Sequence, residues 1–177
     1  MIKLKEILLE NTAPDIFVPR RMDDRLERMI SVYIRNGSKG GLNLANKNLT
    51  VLPAILKDIT VNGYFDCSGN LLTELPSILK DIDVEKFFNC ANNKLTSLNN
   101  SPKTVGGSFY CGHNQLISLK GAPTYVGNNF VCSNNLLTSL EGVPKFVGEN
   151  FICRFNSVKF TEEQVRAVCE VKGHIFV

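Results

Sequence analysis

The sequence predicts an α/β solenoid, a stack of short coils whose strands form one parallel β-sheet and whose two ends are capped by helices. Three observations predict it. Cysteine recurs at a near-constant interval: Cys67, Cys90, Cys111, Cys132 and Cys153 are separated by 23, 21, 21 and 21 residues. The residues around each cysteine recur with it. A coil of about 20 residues also has no room for a long helix, so its return path must be extended or short 3₁₀ backbone.

The columns around the cysteine slot carry the detail. Leu44 fills the slot one copy earlier, 23 residues before Cys67. Two residues before the slot stand Leu42, Phe65, Phe88, Phe109, Phe130 and Phe151. Three after it stand Asn70, Asn93, Asn114, Asn135 and Asn156, with Lys47 in the first copy. Leu49, Leu72, Leu95, Leu116, Leu137 and Val158 follow at five, and Leu52, Leu75, Leu98, Leu119 and Leu140 at eight. Further on, Leu56 and Leu79 give way to Pro102, Pro123 and Pro144, and an Ile/Val column runs through Ile59, Ile82, Val105, Val126 and Val147.

Each column has a physical reading. Apolar residues two apart on a strand point the same way, into the core. The asparagine then turns the chain, because its amide can satisfy backbone groups that have left the strand ladder. The Leu and Ile/Val columns close the coil from the other side, and Gly63, Gly106-Gly107, Gly127 and Gly148 mark turns. Strands spaced by about 4.8 Å make a stack roughly 25–30 Å long.

A solenoid needs covers, because its end coils lack a neighbour. Residues 1–40 are expected as an N-terminal helical cap. Within 20–36, Met22, Leu26, Met29, Ile30 and Tyr33 recur at helical spacing, and Asn36-Gly37 stops the helix. A shorter helix near residues 2–10 and a link through Pro14 and Pro19 come first. The repeats occupy residues 41–158, as five full coils and a partial sixth. Residues 159–177 are expected as a C-terminal helix cap, since Thr161-Glu-Glu-Gln is a good helix start.

The pattern [LF]-x-[LC]-x-x-N-x-L-x-x-L resembles the leucine-rich repeat. Coils reading Leu-Thr-Glu-Leu-Pro, as at 72–76, look like the short bacterial repeats of secreted effectors. The variant Ser139-Leu-Glu-Gly-Val-Pro-Lys-Phe-Val-Gly-Glu-Asn-Phe-Ile-Cys153, with the tail Phe160-Thr-Glu-Glu-Gln-Val-Arg-Ala-Val168, is similar to repeat proteins of tailed bacteriophages. The resemblance covers about residues 41–177. It implies the fold and a phage or bacterial origin, and it implies no active residue. The effector relatives carry catalysis in a separate domain, for which 177 residues leave no space.

Charge narrows the partners. The formal charge is +3, and no segment is basic enough to attract nucleic acid or a membrane surface. The opening Met1-Ile-Lys-Leu-Lys-Glu-Ile-Leu-Leu-Glu10 is broken by charge, unlike a signal peptide or a membrane span. A cytoplasmic protein, in the host cytoplasm if viral, is the expectation.

Candidate chemical sites are few. No two ladder cysteines have the spacing of a zinc clip. Parallel neighbouring Cβ atoms about 4.8 Å apart exceed the ~3.8 Å of a disulfide, so the cysteines are expected as a reduced, buried ladder. His113 stands two residues from Cys111 and His174 near Cys169, but a nucleophile needs an exposed thiolate. Gly106-Gly107 lacks the Lys-Ser/Thr of a phosphate loop, and Asp58 and Asp81 recur in one register as turn residues.

What remains is the outward strand face. Its central column reads Asn43, Asp66, Asn89, Tyr110, Val131, Ile152, flanked by Tyr64 and Phe87 on one side and Arg154 on the other. Tyr64, Asp66, Phe87, Asn89, Tyr110, Val131, Ile152 and Arg154 are therefore the candidate protein-binding residues: aromatic anchors within a polar rim. An outward residue leaves no core cavity, so Phe87 or Tyr110 is expected to add less than about 1 kcal/mol to stability. The expected function is non-enzymatic binding and modulation of a host protein, without cofactor, metal, nucleic acid or membrane. The alternatives are a structural subunit with homotypic contacts, making a homo-oligomer, and behind it nucleic-acid binding.

Overall fold

The computed structural model describes residues 24–177. The helix expected near residues 2–10 and the link through Pro14 and Pro19 lie outside them. Helix α1 is Asp24–Arg35, and Leu26 and Ile30 on its inner face are buried against the first coil. Gly37 follows at φ +71°, where the missing Cβ lets the chain turn left-handed, and Ser38 N donates to the Tyr33 carbonyl.

From there the chain winds as a parallel β-solenoid of about six turns. In chain order the strands are β1 Leu42–Asn43, β2 Phe65–Asp66, β3 Phe88–Asn89, β4 Thr104–Val105, β5 Phe109–Tyr110, β6 Tyr125–Val126, β7 Phe130–Val131, β8 Phe146–Val147, β9 Phe151–Ile152, β10 Glu170–Val171 and β11 Ile175–Phe176. They form two parallel sheets where one was expected. The larger runs β1-β2-β3-β5-β7-β9-β11, and the smaller runs β10-β8-β6-β4 on the return path. Single parallel bridges, Val61 to Val84 and Val84 to Val105, carry the second ladder into the early coils.

Coil length decides how the chain returns. The two 23-residue coils return through 3₁₀ turns, Ala54–Asp58 and Ser77–Asp81, which place Asp58 and Asp81 at the turn ends as their register predicted. In the 21-residue coils Pro102, Pro123 and Pro144 stand where Leu56 and Leu79 stood, and β4, β6 and β8 follow. Extended backbone covers about 3.3 Å per residue against 2.0 Å for a 3₁₀ turn, so fewer residues close the same coil.

The C-terminal segment also departs from expectation. Thr161 caps a helix, α2 Glu162–Arg166, through a reciprocal capping box with Gln164, but α2 is only five residues long. β10 then pairs with β8, and β11 with β9. The segment thus extends both sheets by one more strand instead of ending them under a helix.

Two ladders run through the core. Phe65, Phe88, Phe109, Phe130 and Phe151 are inaccessible to solvent and stack at 5.3–5.6 Å between ring centroids. The asparagine column bonds each coil to the one before. Asn114 Nδ2 donates to the carbonyls of Cys111 in its own coil and Cys90 in the previous one, and its Oδ1 accepts from Leu95 N at 2.9 Å. Asn93 and Asn135 repeat this arrangement. Among the described residues no buried side-chain nitrogen or oxygen lacks a partner. Replacing Asn114 with Ala strands the Leu95 amide and takes one of two asparagine donors from each of the Cys90 and Cys111 carbonyls, and should cost about 1–3 kcal/mol. Urea unfolding of the variant measures this, and an unchanged midpoint would make the column dispensable.

Candidate functional site

Alternation along each strand puts one residue of every pair inside and the next outside. Tyr110, Val131, Ile152 and Phe176 face each other across β5, β7, β9 and β11, residue for residue. Asn89 precedes Tyr110 in this column, and Asp66 precedes Asn89. Two residues upstream of the column, Tyr64 and Phe87 stack at 4.6 Å, and Phe87 meets Tyr110 edge to face at 6.3 Å. The six large side chains form one strip over six of the seven strands, each half-buried.

Phe176 was missed by sequence reasoning. The signal was present: His174-Ile-Phe-Val177 repeats the alternation of Asn150-Phe-Ile-Cys153 24 residues on. Arg154, exposed, holds its guanidinium over the Phe176 ring at 5.1 Å, which ties this predicted residue to the strip's far end.

Not every candidate is free to meet a partner. Asp66 Oδ1 accepts from Ser68 N at 2.9 Å and Ser68 Oγ at 2.6 Å, and Asn89 Oδ1 accepts from Ala91 N at 3.1 Å. Both close turns at the strand ends, as Asn43 does for Ala45. The Tyr64 ring covers Gly41, where any Cβ would overlap it. Phe87 lies between two rings, and each aromatic pair is worth about 0.5–1.5 kcal/mol. The expected stability loss below 1 kcal/mol therefore does not apply to Phe87, and Val131 and Ile152 are the cleaner probes of the face.

Beside the strip is an open cleft of about 340 Å³, lined by Lys86, Phe87, Gly106, Gly107, Ser108 and Tyr110. It exists because Ser108 takes the place that Tyr64 and Phe87 hold in earlier coils. The glycines are required there: a Cβ on Gly107 would press into the Lys86 carbonyl. A larger cleft, about 520 Å³, adjoins Leu26, Met29, Lys47 and Leu49 and shares no residue with the strip.

The thiols lie on the other side of the backbone. All six cysteines are free and buried. Burial pushes the thiols of Cys67, Cys90, Cys111 and Cys132 well above their ordinary range, and that of Cys169 to about 11. A nucleophile requires the opposite shift. His113 is exposed in a turn at φ +53°, 3.3 Å from Asn134 Nδ2, while Cys111 faces the core. It belongs to a left-handed turn column, Asn46, Gly69, Asn92, His113, Asn134 and Phe155, that sequence reasoning did not find. Asn and Gly enrichment two residues after the slot was its signal.

Among the described residues no group of three or more His, Cys, Asp or Glu could hold a metal ion, and no helix is long and apolar enough to cross a membrane. Comparison of the chain with models of protein families, and separately with curated proteins, finds no match.

Proposed function

We propose that this chain is a leucine-rich-repeat module that binds another protein through the outward face of its larger sheet, without catalysis. In this reading α1 and residues 159–177 are the caps of the stack. The protein is a phage or bacterial one that modulates a host protein in the cytoplasm.

The observation that carries the reading is the continuous strip from Tyr64 to Phe176. Tyr64 and Phe87 also support the fold, but Val131 and Ile152 are not called for by folding alone, because the inner Phe and Leu columns already fill the core. Aromatic anchors in register, with a cleft beside them and Asn, Ser and Arg around them, have the composition of a binding surface. The buried, protonated thiols support the non-catalytic part.

Affinity capture with cross-linking from bacterial lysate, followed by mass spectrometry, would identify the partner. Against that purified partner, Tyr110→Ala and Ile152→Ala should each weaken binding by about 2 kcal/mol, roughly thirtyfold. Ile152→Ala should leave the melting temperature within a few degrees. Unchanged affinity in both variants would remove the strand face from consideration. A mass that rises with concentration and falls in these variants would favour the homotypic subunit instead.

A further inference from the structure

We infer that the occupant of the strip is an amphipathic α-helix of the partner, laid across the strands with its N-terminus over Asp66 and its C-terminus toward Arg154. The inference rests on the protein-binding reading above and specifies its ligand.

Hydrogen bonding decides between the two backbone forms a partner could present. The strip lies on the face of the sheet, and each strand from β2 to β9 in that sheet is paired on both sides. Its backbone groups are already used: Phe109 N donates to Asn129 O and Cys111 N to Val131 O. An added strand would find no ladder to join, and its own N–H and C=O groups would be pressed unpaired onto apolar rings. A helix brings its backbone already satisfied.

Spacing agrees. Six rungs at about 4.8 Å give a strip about 24 Å long, which a helix spans in about 16 residues. Successive helical turns, at about 5.4 Å, stay near the rung spacing. Same-side residues of an extended chain recur at roughly 6.6 Å and fall out of step by the second rung. Beside the strip, Ser68, Ala91, Gly112 and Ser133 are small and leave room for the helix's own apolar side chains.

Charge sets the direction. Asp66 lies beside Tyr64 at one end, and Arg154 covers Phe176 at the other. Arg154 has no carboxylate within ion-pair distance among the described residues. A helix carries about half a positive charge at its N-terminus and half a negative charge at its C-terminus, which matches this order. Glu85 and Lys86, by the cleft, are of opposite sign, and Glu149 stands beyond the polar column, bonded to Asn129.

The test uses the full chain and two display libraries of 18-residue segments, one on a helical scaffold and one in extended hairpins. The helical library should yield binders with apolar residues at i, i+3, i+4 and i+7. Val131→Asp, or Val131→Ser should the aspartate variant fail to fold, should weaken them at least tenfold. Tyr125→Asp, on the opposite sheet, should not. A proline in the middle of the selected peptide should abolish binding. Arg154→Glu should weaken peptides whose last turn is acidic by several-fold, and an unchanged affinity would overturn the proposed direction. Strip-dependent binders from the hairpin library alone would overturn the helix but leave protein binding intact. Helical binders indifferent to Val131, or no strip-dependent binder from either library, would overturn both.

Discussion

Above about pH 8.5 the stability of this protein should fall steeply, because unfolding releases thiols that the fold keeps protonated. Cys67, Cys90, Cys111 and Cys132 lie wholly out of water in one file, and burial holds their ionisation well above the ordinary range. Neighbouring thiolates would also repel, as Cys90 would repel Cys67. Cys90 Sγ donates to the Tyr110 carbonyl at 3.4 Å, a bond that needs the proton. Below about pH 8.5 both states are protonated, and the thiols contribute no pH dependence. Above it the unfolded chain binds fewer protons than the folded one, and each thiol removes about 1.4 kcal/mol of stability per pH unit. These four together remove about 5 kcal/mol per unit, comparable to the whole stability of a small domain, and Cys169 adds to the slope up to about pH 11. Urea unfolding between pH 7 and 10.5 under reducing conditions measures the slope. Cys111→Ala should lower the slope by about a fifth. A flat profile through pH 10 would mean that the thiols ionise within the fold and that water reaches the ladder.

Phe109→Ala should cost about 3–5 kcal/mol, the loss seen when a fully buried aromatic ring is truncated. Its ring lies between those of Phe88 at 5.5 Å and Phe130 at 5.6 Å, so two stacked contacts go with it. The position matters as much as the size of the cavity. In a solenoid each coil contacts only its neighbours, so a defect in the middle uncouples the two halves. Calorimetry should show a lower and broader transition than for the wild type. Phe109→Leu should lose much less, since Leu42 holds the same column in the first coil. A loss below about 1 kcal/mol for the alanine variant would mean that the Phe file is not the main support of the stack.

The repeat by itself determined the inner Phe and Cys columns, the turning asparagines and the outward strip from Tyr64 to Ile152. These follow from period and alternation: a residue's column fixes its side of the sheet, and every copy votes on it. The tertiary structure decided what depends on contact between copies. Stacking put Pro102, Pro123 and Pro144 coils side by side, so that short extended stretches found partners and became a second sheet. It drew Ile175–Phe176 onto β9, which added Phe176 to the face although its spacing breaks the 21-residue period. It turned Asp66 and Asn89 from free surface groups into turn locks, because their acceptors lie within reach of the backbone two residues on. A sequence records which residues share a column; hydrogen-bond partners and ring contacts are set by the distance between columns, which exists only once the coils are stacked.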